Sequence, residues 1–208
     1  SLAREFATRY AGLRQAYGTF TASNETREDG KASGKNITIS KELSDNDLLK
    51  LWEDHLSGHQ SVGIVPIDEH NNCVWGAIDV DEYQLDLKDL AIKIAKQELP
   101  LVLCRSKSGG AHIYIFLKEP VAASMLQRNL RQIAASIGYG QAEIFPKQTQ
   151  LLLERGDRGS TLNMPYFGGE NSTRYAYGKD GAALSPQEFL DYINDIELSP
   201  SALEKLEA

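Results

Sequence analysis

Cys73-Val74-Trp75-Gly76-Ala77-Ile78-Asp79-Val80-Asp81 decides how this chain folds. It is an apolar run that reads as a buried strand and ends in acid. Side chains alternate faces along a strand, so residues two apart point the same way. Ile78 and Val80 then face a packed side, and the carboxylates of Asp79 and Asp81 project together from the other. Two carboxylates that close repel, and one keeps its proton unless a cation neutralises the pair. Such a pair at the end of an apolar strand is a seat for a hard divalent ion with oxygen ligands. The same stretch also reads as a strand that runs into a polar turn at Asp81, Glu82 and Tyr83.

On the N-terminal side, Leu2, Phe6, Tyr10, Leu13 and Tyr17 recur at helical spacing, so the chain opens with an amphipathic helix. Residues 21–36 are polar and contain glycine, a mobile loop by composition that carries Arg27, Lys31 and Lys35; its lysines could also grip phosphate. Ser44 caps a helix that runs to about His55, with Leu48, Leu51, Trp52 and Leu56 inward. Ser61 to Ile67 and Cys73 to Asp81 read as a hairpin around the turn Asp68 to Asn72.

On the C-terminal side, a helix from about Leu85 to Glu98 is stopped by Pro100. Leu101 to Arg105 and His112 to Leu117 read as strands, followed by a helix from about Ala122 to Ile137 with Gly138 after it. A strand from Ala142 to Phe145 precedes Pro146, and shorter strands are expected near Leu151 to Glu154, Thr161 to Met164 and Arg174 to Tyr177. Ser185-Pro186-Gln187-Glu188 is a capping box that starts a helix, and Ser199-Pro200 starts another. From Ser61 the order is hairpin, helix, hairpin, helix, strand. That order suits an α+β sheet with helices on one face and the other face left for chemistry.

Composition narrows the function classes. With 208 residues there is room for one large domain or two small ones. No apolar stretch is long enough to span a membrane, and no signal peptide is visible, which predicts a cytoplasmic protein. The chain opens on Ser1 rather than Met, as a trimmed chain or part of a longer protein would. Cys73 and Cys104 form no CxxC unit, so neither a zinc site nor a disulfide framework is expected. The net charge of −7 speaks against a generic DNA-coating protein, but the charge is unevenly spread. Residues 101–182 carry 10 basic and 6 acidic side chains, net +4, while residues 183–208 carry 1 and 6, net −5. A polyanion is therefore expected at the middle segment.

Three further motifs carry chemistry. Ser106-Lys107-Ser108-Gly109-Gly110-Ala111-His112 offers hydroxyls, amides that an anion can approach, and cations from Arg105 and Lys107. His112 shares a strand face with Tyr114 and Phe116, which allows it the same open face as the aspartates. Read alone, the run is also an ordinary hairpin turn. Glu143-Ile144-Phe145-Pro146-Lys147-Gln148 puts a carboxylate on a short strand ahead of a cation and an amide. Gly159 to Gly169, with Asn163 and Tyr166, mixes polar and aromatic groups that suit a nucleotide or template groove or a packed loop.

In that order, an Asp-x-Asp strand, a Ser-Gly-Gly-x-His turn and a later acidic strand resemble the three signature motifs of the archaeo-eukaryotic primase superfamily. More narrowly, the run from Trp52 to Gly169 is similar to the primase-polymerase domains of TOTE conflict systems and of CRISPR-associated primase-polymerases. The resemblance implies an RRM-like sheet, antiparallel or mixed, as catalytic core (about 61–182), joined to an N-terminal α/β unit (about 1–60). Together they make a catalytic domain of 1–182. The acidic helices of 183–208 follow as a domain end or a docking segment. It implies a template-dependent nucleotidyltransferase joining nucleoside triphosphates to a 3′-hydroxyl with two Mg²⁺ or Mn²⁺ ions on Asp79, Asp81 and Glu143. Many relatives have Asp where this chain has Glu143.

The second-motif Ser and His of the resemblance map onto Ser108 and His112, and beside them Arg105, Lys107, Gly109, Gly110, Lys147, Gln148 and Asn163 are expected at the nucleotide. Its implied partners are a single-stranded DNA template, a primer, and a helicase or other replication or defence domain in a longer chain. A zinc module or helicase domain, carried by many relatives, is not visible. Three alternatives stay open on sequence: a nucleotide cyclase-like enzyme, which needs metal but no template; a non-catalytic single-strand-binding module; and a catalytically dead relative. The binding module has no need of paired aspartates, because carboxylates repel phosphate unless metal intervenes.

Overall fold

The computed structural model describes residues 1–26 and 32–206. The fold is α+β, built on two antiparallel four-stranded sheets. The first has the order β2-β1-β3-β8, with β1 Ala16–Thr26, β2 Ala32–Ser40, β3 Ser61–Ile64 and β8 Leu162–Asn163. The second has the order β5-β6-β4-β7, with β4 Asn72–Val80, β5 Val102–Arg105, β6 Ala111–Ala122 and β7 Glu143–Phe145. Helices α3 (Leu87–Lys96) and α4 (Ala123–Ser136) connect its strands. The second sheet thus runs β-α-β-β-α-β with the first and third of its strands in the middle, which is the RRM arrangement that the family resemblance implies.

Each face of this central sheet has its own core. Ile78, Val80, Leu103, Ile113, Ile115 and Ile144 pack against Leu90, Ile94, Leu126 and Leu130 of α3 and α4. Trp75, Ala77, Tyr114, Phe116 and Phe145 face the other way. They meet Phe6 and Tyr10 from α1 (Leu2–Arg9) and the turn after it, Trp52 from α2 (Asp45–Leu56), and Phe189 from α5 (Pro186–Ile196). The Tyr10 ring lies edge-on to Trp75, Tyr114 and Phe116 at centroid distances of 5.1, 5.2 and 5.3 Å. The sequence predicts that this face is left free. It is covered along most of its length, because aromatic side chains there need burial, and only the row at the end of β4 stays open.

Local signals account for the helix starts. Ser44 and Asp47 cap each other at the head of α2, and Ser185 and Glu188 do the same at α5. The last helix, α6 (Pro200–Lys205), begins at the Ser199 cap. Four strand expectations fail. The described residues of the expected 21–36 loop, 21–26 and 32–36, are strand: β1 and β2 pair from Ala16↔Ser40 to Thr26↔Ala32. Residues 34–37 of β2 are exposed and bury too little to leave an apolar period, so their polar composition misleads. Arg27 and Lys31, the latter an expected phosphate contact, lie outside the described residues. β3 and β4 form no hairpin, since β3 pairs with β1 and β8. The tight turn is there, with Asp68 Oδ1 accepting the amides of His70 and Asn72 at 2.9 Å each, but its arms enter different sheets. Residues 151–154 lead into a 3₁₀ turn at Leu153–Arg155, and the 174–177 stretch makes only isolated bridges at Ala176 and Tyr177.

Candidate active site

The register of the central sheet assembles the site. Asp79 on β4 stands opposite His112 on β6 and, across its other edge, opposite Glu143 on β7. Directly opposed residues in an antiparallel sheet share a face with Cα atoms about 4.5–5.5 Å apart. Three strands distant in sequence therefore place His112, Asp79 and Glu143 in one row. Asp81 follows two residues after Asp79, just past the end of β4, and is exposed. Gly76 lets β4 sit this deep. A Cβ there would come within 2.7 Å of Leu130 and 2.8 Å of the Phe145 carbonyl.

This row forms the floor of a cleft of about 270 Å³ where the two sheets meet. Ser106, Lys107 and Ser108, from the turn between β5 and β6, make one wall. Thr161, Leu162 and Asn163, around β8, make the other, and Phe145 and Lys147 close the edge. Asn163 pairs with Gly63 of β3, so the first sheet supplies part of the site. Gly110 lets the turn lie flush on β4, since a Cβ would come within 2.4 Å of the Val80 carbonyl. Larger hollows, about 570 and 400 Å³, flank α1 and gather no comparable set of acids.

Each carboxylate has a protein partner. His112 Nε2 lies 3.4 Å from Asp79 Oδ1, Tyr83 donates its hydroxyl to Asp81, and Lys147 Nζ lies 3.1 Å from Glu143 Oε2. On the far side of His112, Nδ1 lies 3.2 Å from the hydroxyl of Tyr114, which is fully buried. Lys107 Nζ sits 3.8 Å above the ring of Phe20. Among the described residues no three His, Cys, Asp or Glu side chains converge tightly enough to enclose an ion. The donor set is nevertheless all oxygen, at or just past strand ends and partly solvated, which fits hard divalent ions by ligand type. Cys104, opposite His112 on β5, offers no thiolate, because burial pushes its thiol well up.

Of the residues singled out by sequence, the cleft brings together Asp79, Asp81, Glu143, Lys107, Ser108, His112, Lys147 and Asn163. Four do not line it. Arg105 donates Nε to the Thr173 carbonyl at 3.1 Å. The Gly109 amide is spent on the Ser106 carbonyl at 3.0 Å, and Gly110 is packed on Val80. Gln148 is bonded at both ends of its amide to Ser160, at 2.7 and 3.1 Å, and holds a loop. Ser106, Phe145 and Thr161 lie in the motifs read from sequence and line the cleft without having been given a role of their own, and Tyr83 and Tyr114 were missed as partners. Tyr114 had a signal, since it is two residues from His112 on one strand face. Arg174 was missed as well. It is buried, gives Nη1 to Ser61 Oγ and the Met164 carbonyl at 3.2 and 3.1 Å, and burial brings its pKa down to about 10.

An RRM-type sheet whose central strand ends in acids thus stands beside a Ser-Lys-Ser turn. The family model of the archaeo-eukaryotic primase domain of TOTE conflict systems matches residues 5–202, and the chain belongs to that family. This membership supports a nucleotidyltransferase type of activity. Among solved structures, primase RepB′ is similar over 99% of this chain and 60% of its own, at 10% identity and a TM-score of 0.42. The polymerase domain of Mycobacterium tuberculosis Ligase D, in complex with DNA, is similar over 99% of this chain and 90% of its own, at 14% identity and a TM-score of 0.44. No curated protein sequence matches.

Proposed function

We propose that the chain is a template-dependent nucleotidyltransferase, a DNA primase-polymerase. The observation that carries this reading is the single row of Glu143, Asp79 and His112, with Asp81 beside it and the Ser106–Ser108 turn above. In the reaction a 3′-hydroxyl attacks the α-phosphate of a nucleoside triphosphate and pyrophosphate leaves. Asp79, Asp81 and Glu143 would hold Mg²⁺ or Mn²⁺, which would lower the pKa of the hydroxyl and neutralise developing charge. Lys107, Ser108 and His112 donate to the triphosphate, and Lys147 and Asn163 flank the nucleotide from the opposite rim. Lys147, now beside Glu143, is free to turn to phosphate once another cation neutralises that carboxylate. A single-stranded DNA template and a primer are the macromolecular substrates.

The test is an incorporation assay with Mg²⁺ or Mn²⁺ and both sugar types, with and without template and primer. Asp79→Ala combined with Asp81→Ala should leave the fold intact by circular dichroism and bring incorporation to background. Normal extension by the folded double variant would refute the assignment. Turnover that needs no template would favour a cyclase-like activity instead.

A further inference from the structure

We infer that Phe20 is a positioning residue that holds the ammonium of Lys107 at the cleft. The inference deepens the proposed function and rests on it for its kinetic consequence only. Phe20 has no place in either core: it is half-buried and belongs to neither of the hydrophobic clusters that flank the central sheet. Its ring lies instead beneath Lys107, whose Nζ sits 3.8 Å from the ring centroid. That is well inside the roughly 6 Å within which the face of an aromatic ring attracts an ammonium. Lys107 comes from the turn between β5 and β6, and Phe20 from β1, so the contact joins the two sheets at the cleft.

The first sheet is shaped to offer that ring. Gly18 and Phe20, two residues apart on β1, share a face. A Cβ on Gly18 would come within 2.9 Å of Thr161 Oγ1, so this face is turned toward the Thr161 wall of the cleft. On β2, Gly34 leaves the space that the ring fills, since a Cβ there would come within 2.3 Å of Phe20 Cζ. The backbone is held as well. Phe20 pairs with Asn36 of β2 and with Ser61 of β3, and its carbonyl accepts Nε2 of Gln60 at 3.2 Å. A lysine stem is flexible, and an anchored ring face narrows the positions its ammonium takes. The charge is thereby kept beside the Ser106–Ser108 turn, where the proposed function puts the triphosphate. Phe20 touches no nucleotide and acts through Lys107.

The test compares wild type with Phe20→Leu, which stays apolar but loses the π face, and with Phe20→Tyr, which keeps it. ¹H–¹³C spectra of lysine-labelled protein read where the cation sits, with the Lys107 signal assigned from Lys107→Arg. Protons above a ring are shielded. The Lys107 ε-methylene should therefore lie upfield of exposed lysines such as Lys50 and Lys93 in wild type and Phe20→Tyr, and join them in Phe20→Leu. Lys147, 5.2 Å from the ring centroid of Phe145, is the internal reference and should not move. Phe20→Leu should raise the nucleotide KM roughly two- to fivefold and change kcat by less than about twofold, and Phe20→Tyr should restore KM. The dissociation constant of inorganic triphosphate should rise by the same factor. In a Lys107→Gln background Phe20→Leu should change neither.

A wild-type Lys107 signal among those of the exposed lysines overturns the inference, and it is readable even if a variant fails to fold. So does an unchanged or lower triphosphate dissociation constant in folded Phe20→Leu, which would make the ring a resting place away from the ligand. Wild-type protein that binds no triphosphate overturns it too. If wild type incorporates no nucleotide, the proposed function falls while the spectra and the triphosphate titration still decide the role of Phe20.

Discussion

His55 has both ring nitrogens committed. Nδ1 accepts the Val62 amide at 3.0 Å, and Nε2 donates to the Pro165 carbonyl at 2.7 Å. The neutral ring fits this pair of partners and the imidazolium does not. Burial pulls the pKa down to about 3, Arg174 adds to the fall, and the Pro165 carbonyl opposes it. The folded pKa lies below the unfolded value of about 6.5. The contribution to stability is therefore fully present above about pH 6.5 and is lost as pH falls toward 3, up to roughly 5 kcal/mol. Urea titrations should show the unfolding free energy declining across that window. A folded His55→Gln variant should be less stable at neutral pH and decline less steeply, and equal slopes would remove His55 from the account. At this scale Asp79, Asp81, His112 and Glu143 were legible because strand period and motif order need no coordinates. The partners of Asp81 and Glu143 were not, because bonds from Tyr83 and Lys147 depend on side-chain placement beyond the strand ends.

Single elements show the same divide. The helices α2 and α5 were readable from their capping boxes, whose partners lie three residues apart. Strand partners are chosen across the fold, so β3 went to the first sheet although all four of its residues are buried and suit either one. β4 was legible as a strand, but the role of Gly76 was not. Its missing side chain is where α4 and β7 close in, with Leu126 3.0 Å and Leu130 2.7 Å from a notional Cβ. Overfilling a tight core costs about 1–3 kcal/mol. Gly76→Ala should therefore lower the urea midpoint by that equivalent, and it also bears on Glu143, which shares β7. An unchanged midpoint would mean that α4 and β7 give way easily and that the glycine is not required.

The whole molecule places its candidate site where two sheets meet, and this changes what the charge distribution means. The sequence assigns the template to residues 101–182, with 10 cations. The fold scatters them. Arg105 is tied to the Thr173 carbonyl, Arg155 pairs with Asp157 at 2.7 Å, Arg158 reaches the Thr38 carbonyl at 3.4 Å, and Arg174 is buried. Arg128 and Arg131 ride on α4, the helix on the far side of the sheet from the acids. Among the described residues, the cations that line the cleft are Lys107 and Lys147, apart from His112 when protonated. Single-strand binding releases counterions with a slope of about −0.7 per phosphate neutralised. With no nucleotide bound, a strand held at the cleft by these two lysines should lose affinity with salt at a slope of roughly −1.4, and ten contacts would give roughly −7. Lys147→Gln should flatten the slope by about 0.7 and leave the melting temperature nearly unchanged, since a half-exposed ion pair contributes little to stability. Fluorescence anisotropy of a labelled oligonucleotide across a salt series measures both. A slope near −7 that is indifferent to Lys147 would move the template off the cleft and onto the outer surface of the basic segment.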